Sequence, residues 1–65
     1  MVWIDIKIKQ PIWYKNVDIK VDGEIKLNYH RLSGDDDEVY YGSLETDEIV
    51  YEDDITHWRE KEKND

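Results

Sequence analysis

An Asp-Gly pair at positions 22 and 23 is the sequence feature that most limits what this chain can fold into. Apolar residues alternate with polar ones on both sides of it, at Val17, Ile19 and Val21 and at Ile25, Leu27 and Tyr29. Period-two alternation on either side of a turn dipeptide predicts a β-hairpin. The other elements must be arranged around this antiparallel pair.

The register of the hairpin is predicted from the burial of one face. A two-residue loop would set charged side chains opposite apolar ones, as in Lys20 opposite Ile25. A three-residue loop that begins at Val21, with Gly23 in the left-handed conformation, pairs Ile19 with Ile25 instead. That register also gives the pairs Val17–Leu27, Asp18–Lys26 and Lys20–Glu24. We therefore predict the three-residue loop, with Val21 at an exposed tip.

The other strands are predicted from shorter patterns. Alternating Val2, Ile4, Ile6 and Ile8 indicate a first strand, which Pro11 ends at about Gln10 because proline cannot donate to a sheet ladder. Residues 12–14 then form a bend. Short strands are expected over residues 39–44, 49–51 and 55–58, and residues 33–38 form an exposed acidic loop. Gly42 indicates a bulge or a close approach of two chains.

The fold class that follows is all-β. About five strands in residues 1–58 form an antiparallel meander or a partly closed barrel, and residues 59–65 form a charged tail. A domain of 65 residues has a marginal core, and the absence of cysteine removes disulfides as a support. We therefore expect self-association as a homodimer or higher homo-oligomer.

The charge is distributed unevenly along the chain. Residues 1–32 contain six Lys or Arg and four Asp or Glu, whereas residues 33–65 contain three and thirteen. A net charge of −8 repels polyanions, so we expect a protein partner with a basic surface and no direct binding of nucleic acid. An acidic surface that serves solubility alone is the other interpretation.

The sequence offers little for catalysis or for a membrane. Ser33 and Ser43 lie outside any nucleophile motif, and His57 beside Trp58 is more typical of a structural side chain. The acidic runs lack the spacing of a calcium loop, so no metal or cofactor is expected. No apolar run approaches the roughly 20 residues of a membrane span, and the start lacks a basic signal region. We expect a cytoplasmic binding protein that is not an enzyme.

Several pieces of the chain together resemble a known family. They are an early Val2-Trp3-Ile4-Asp5-Ile6, Pro11 before the hairpin, and Ile55-Thr56-His57-Trp58 near the end. This pattern resembles a family of small phage and prophage proteins of unknown function, over about residues 2–58. After Trp58 the chain has Arg59-Glu60-Lys61 where that family has Met-Pro-Leu-Pro. The resemblance implies a phage-type accessory protein, in a bacterial host cell, that binds and disables a host component.

The first functional hypothesis uses acidic and tyrosine side chains. Carboxylates held on rigid strands can imitate a row of phosphates, and tyrosine anchors protein interfaces. The protein would then inhibit a host defence or nucleic-acid-handling protein. We call the expected contact residues the acid-and-tyrosine set: Asp35, Asp36, Asp37, Glu38, Tyr40, Tyr41, Asp47, Glu48, Tyr51, Asp53 and Asp54.

The alternative hypothesis uses the aromatic residues, since the chain has three Trp, five Tyr and no Phe. A self-associated barrel could line a pocket with rings and place basic groups at its rim, which would hold a nucleotide. The protein would then be a sponge for a signalling nucleotide. We call these residues the aromatic set: Trp3, Trp13, Tyr14, His57, Trp58 and Arg59.

Overall fold

The computed structural model describes residues 2–61, and these form a single antiparallel sheet of six strands. The strands are β1 (Ile4–Asp5), β2 (Asn16–Val21), β3 (Glu24–Ser33), β4 (Val39–Ser43), β5 (Ile49–Tyr51) and β6 (Ile55–Glu60). Two short 3₁₀ helices follow β3 and β5, and we call them the first acidic turn (Asp35–Asp37) and the second acidic turn (Glu52–Asp54). Within the described residues, no helix is long and apolar enough to cross a membrane.

The predicted all-β class is confirmed, with one more strand than expected. The order across the sheet is β1-β6-β2-β3-β4-β5, so β2 to β5 form a meander and β6 inserts between β1 and β2. Among residues 2–61 the sheet stays open, with β1 and β5 as its edges. Of the two predicted alternatives, the meander is therefore nearer to the structure than the partly closed barrel.

One face of the sheet, which we call the core face, carries the hydrophobic core. The strand pairs Val17–Tyr29, Ile19–Trp58 and Tyr41–Val50 lie there. The buried cluster consists of Ile6, Val17, Ile19, Tyr29, Tyr41, Val50, Ile55 and Trp58. The segment between β1 and β2 covers this face, with the Trp58 Nε1 donating to the Lys9 carbonyl at 2.8 Å. We call the opposite side, which this segment does not cover, the open face.

The predicted hairpin register is wrong. The loop has two residues, so Val21 pairs with Glu24 and Lys20 pairs with Ile25. Asp22 and Gly23 have φ angles of 50° and 81°, both in the left-handed region that a two-residue hairpin loop of this kind requires.

A bulge in β3 explains how the two-residue loop is tolerated. Leu27 and Asn28 together lie opposite Asp18, so Tyr29 returns to the core face and pairs with Val17. Ile25 and Leu27 are left half exposed. One-face burial was the wrong assumption because β2 lies between β3 and β6 and buries Asp18 as well as its apolar neighbours. The pairs Ile19–Ile25, Val17–Leu27, Asp18–Lys26 and Lys20–Glu24 therefore do not form.

The first strand is much shorter than its alternation predicted. β1 ends at Asp5, whose carboxylate accepts a hydrogen bond from the Lys7 N–H at 2.8 Å. The Asp5 carbonyl accepts from the N–H groups of Ile8 and Lys9, which closes a turn. An Asp side chain that bonds its own following backbone competes with strand extension. Ile8, which lies in this turn, is consequently exposed, and Val2 before β1 is exposed as well.

The remaining predictions mostly agree with the structure. The bend at residues 12–14 contains a single bridge from Trp13 to Arg31, and β5 has the predicted bounds. Gly42 pairs regularly, and a Cβ there would lie 3.1 Å from the Leu32 Cδ1, so the glycine marks a close approach. β6 continues through Arg59 and Glu60, which therefore belong to the sheet. Residues 62–65 of the predicted tail lie outside the described residues.

Candidate functional site

The two acidic turns lie at the same end of the sheet. Tyr40 near the start of β4 pairs with Tyr51 at the end of β5, so the loop before β4 and the turn after β5 are neighbours. Between them lies a cleft of about 570 Å³, which we call the acidic cleft. Its lining residues are Asp37, Glu38, Val39, Tyr51, Glu52, Asp53 and Asp54.

Most carboxylates of the acidic cleft have no cation beside them. Glu52 pairs with Arg31, but within residues 2–61 no Lys or Arg nitrogen lies within 4.0 Å of the other four carboxylates. Those four belong to Asp37, Glu38, Asp53 and Asp54. Their negative charge is therefore uncompensated and directed to solvent, which favours the approach of a cationic partner.

The second acidic turn is fixed to the core through Glu52. The Glu52 Oε2 accepts hydrogen bonds from the Arg31 Nε at 3.1 Å and from the Tyr41 hydroxyl at 2.8 Å. The Arg31 guanidinium lies over the Trp13 ring, 4.0 Å from its centroid. Burial and the bond to Glu52 raise the pKa of Tyr41. The phenol therefore remains a hydrogen-bond donor. Arg31 and Tyr41 together hold Glu52, the first residue of the second acidic turn, in place.

Sequence reasoning missed Arg31 and Glu52 as positioning residues. Glu52 lies in the acidic run between Tyr51 and Asp53, but nothing local distinguishes it from its neighbours. Its partner Arg31 lies on β3, 21 residues earlier in the chain. Arg31 and Glu52 meet because β4 lies between β3 and β5 in the sheet. No spacing in the sequence indicates that order.

The three tyrosines of the acid-and-tyrosine set have different positions. Tyr51 is 45% exposed and lines the acidic cleft. Tyr40 is half-buried on the open face, and its ring packs edge-on against Tyr51 with centroids 6.5 Å apart. Tyr41 has no exposed surface because it points to the core face. Its expected role as a contact residue is wrong, and it acts instead on Glu52.

Asp47 and Glu48 lie at the other end of β5, away from the acidic cleft. The Tyr29 hydroxyl donates to Glu48, and the Lys26 ammonium lies 3.6 Å from the same carboxylate. The Tyr29 bond, more than Lys26, lowers the pKa of Glu48, while burial is the main cause that raises the pKa of Tyr29 to about 12. Asp47 is exposed.

The remaining members, Asp35 and Asp36, are exposed on the first acidic turn but do not line the cleft. The structure therefore brings together one subset of the acid-and-tyrosine set: Asp37, Glu38, Tyr51, Asp53 and Asp54.

The aromatic set does not form one pocket. Trp58 is buried on the core face, whereas Trp3 lies on the open face with the Arg59 guanidinium 4.4 Å and the Lys20 ammonium 4.8 Å from its ring centroid. Trp13 lies in a third place, under the Arg31 guanidinium. The set also contains Tyr14, which is exposed, and His57, whose buried Nδ1 has no hydrogen-bond partner among the described residues.

The candidate site has no feature of a metal centre. Within residues 2–61, no three Asp, Glu or His side chains are grouped so that they could hold one ion. The acidic cleft is therefore interpreted through its charge and shape.

Comparison with known proteins gives no match, whether to protein-family models, to curated proteins or to solved structures.

Proposed function

We propose that this protein binds the basic surface of another protein through the acidic cleft and acts by stoichiometric inhibition. One observation carries the proposal. Two acidic turns from separate parts of the chain meet at one end of the sheet, where four carboxylates without a neighbouring cation surround the exposed ring of Tyr51. Tyr is enriched among the residues that anchor protein interfaces, and the rim around such anchors is polar.

The rigidity of the site supports binding without a large ordering cost. Glu52, the first residue of the second acidic turn, is held by both Arg31 and Tyr41. Groups that are already placed in the free protein lose little conformational entropy when a partner arrives. The acidic cleft therefore keeps more of its interaction energy than a flexible acidic tail would.

The proposed partner is a host protein of defence or of nucleic-acid handling, and the protein is proposed to be a phage-type accessory factor. A groove that binds nucleic acid is lined with Lys and Arg that neutralise phosphates. Carboxylates fixed at the end of a sheet can occupy such a groove and compete with the nucleic acid. The overall charge of −8 adds a field that steers the protein toward a cationic surface.

The test is a pull-down from bacterial lysate with matched variants. The cleft variant carries Asp37→Asn, Asp53→Asn and Asp54→Asn. The control variant carries Asp22→Asn, Asp35→Asn and Asp36→Asn, which lie outside the cleft lining. Both remove three charges, and Asn tolerates the left-handed conformation of Asp22, Asp36 and Asp37.

We expect a stoichiometric partner, identified by native mass spectrometry, that salt elutes because charge-led interfaces are screened by ions. The cleft variant should lose about tenfold or more in affinity for it, and the control variant should retain it. Equal retention by both variants, or equal loss from both, would contradict the proposal, provided that circular dichroism shows both to be folded.

A further inference from the structure

β5 is an edge strand with a free side, and it leads into the acidic cleft. Among the described strands it pairs with β4 alone, and Tyr51 at its end lines the cleft. We propose that an extended, basic segment of the partner adds to β5 as a further strand of the sheet. This inference rests on the proposed function and specifies the form of the partner. Addition of a strand to an open edge is a recurrent mode of peptide recognition.

The backbone of β5 is oriented for such an addition. The Ser43 N–H donates to the Glu48 carbonyl at 2.9 Å, and Tyr41 pairs with Val50. In an antiparallel ladder the residues that face the neighbouring strand alternate with those that face away. Val50 therefore faces β4, and the N–H groups of Ile49 and Tyr51 face the free side of the sheet.

The side chains of β5 offer contacts on the same strand. Ile49 and Tyr51 are 49% and 45% exposed, while Val50 between them is buried. The two exposed side chains lie on the open face because strand residues alternate between faces. An added strand would place its own alternate side chains beside them, and such cross-strand pairs stabilise a sheet.

The charges around β5 select the occupant. Asp47 and Glu48 precede the strand, and the second acidic turn follows it. Two copies of β5 paired antiparallel would bring the acidic residues before one strand close to those after the other, which like-charge repulsion opposes. A segment that carries Lys or Arg meets attraction at both ends instead. The edge therefore favours a basic segment over a second copy of this chain.

The test uses a synthetic peptide of about ten residues in which Lys alternates with Val, a strand-forming pattern. The edge variant is Ile49→Pro, which removes one outward N–H and leaves the pairing with β4 intact, since proline is tolerated on the free side of an edge strand. Ile49→Val is the matched control. Binding is measured by titration calorimetry, and circular dichroism checks the fold of each variant.

We expect Ile49→Pro to weaken peptide binding about tenfold or more and Ile49→Val to change it by about twofold or less. A second measurement needs no variant: hydrogen exchange of the wild-type protein by NMR. The amides of Ile49 and Tyr51 should exchange more slowly when the peptide is bound. Peptide binding that leaves both amides unprotected would overturn strand addition, whatever the proline variant does.

The outcomes separate this inference from the proposed function. If the cleft variant loses the peptide while Ile49→Pro keeps it, strand addition is wrong and the acidic cleft stands. If Ile49→Pro loses the peptide and the cleft variant keeps it, strand addition stands and the proposed function fails. If the β5 amides become protected with rising protein concentration and no peptide, a second copy occupies the edge and the inference is overturned.

Discussion

The hydroxyl of Tyr41 donates to the Oε2 of Glu52 at 2.8 Å and so joins a fully buried ring to the start of the second acidic turn. Arg31 shares the same carboxylate oxygen. The hydrophobic core and the candidate site are therefore connected through one side chain.

Tyr41→Phe should lower the free energy of unfolding by about 1 kcal/mol, because the ring stays in the core and a single hydrogen bond is lost. Tyr40→Phe is the control, since the Tyr40 ring lies on the open face. Chemical denaturation of both variants measures the difference. Equal stabilities would contradict a structural role for the Tyr41 hydroxyl.

Asp18→Ala should be more costly. The buried Asp18 carboxylate accepts from the Arg59 Nε at 3.0 Å and from the Asn28 N–H at 3.3 Å. Removing it leaves a partly buried guanidinium without its partner, so we expect a loss of about 2–3 kcal/mol, less than a fully buried pair because Arg59 keeps some contact with water. Asp47→Ala, at an exposed position, should change stability by about 0.5 kcal/mol or less. A loss at Asp18 no larger than at Asp47 would show that the pair adds nothing to stability.

Asp22→Val tests the hairpin loop. In the two-residue loop Asp22 has a φ of 50°, a conformation that a β-branched side chain adopts at a cost of about 1–2 kcal/mol. Asp22→Asn should be neutral because Asn adopts this conformation readily. Thermal and chemical denaturation compare the two variants. A stable Asp22→Val protein would favour the three-residue loop, in which this position is not left-handed.

Stability should fall in alkali through Tyr29. Burial, with the bond to Glu48, raises its pKa from 10.0 to about 12, so the folded state holds the phenol proton more tightly than the unfolded state does. This contribution is complete below pH 10.0 and is lost as the pH rises toward about 12. Tyr29→Phe should reduce the slope of the free energy of unfolding against pH across that interval, and Tyr41, whose pKa is also raised, accounts for the slope that remains. An unchanged slope would show that another group is responsible.

The strands that sequence alone located are those with clear boundaries. Residues 49–51 lie between two acidic segments, and the predicted strand at that position has the observed bounds. The first acidic turn lies within the exposed acidic loop predicted over residues 33–38, because carboxylates without partners remain in water. Both features depend on residues that are close together in the chain, so a short sequence pattern is enough to predict them.

The features that sequence alone did not locate depend on neighbours distant in the chain. The hairpin register followed from assuming that β2 has one buried face, but β6 lies against it and Arg59 neutralises Asp18 there. Tyr40 and Tyr41 are adjacent and chemically alike, yet one lies on the open face and the other in the core. Only the pairing partners decide which of two neighbouring tyrosines can meet a ligand.

The position of β6 has a consequence for how the protein forms. It is the last described strand in the chain, yet it provides the partner of β1, through Ile4 and Trp58, and one side of β2. During synthesis the first strand has no partner until the last one has emerged, and these distant pairings are slow to close. Until then one side of β2 is exposed and able to pair with another chain. The interval before β6 docks is therefore when this protein is most prone to aggregate.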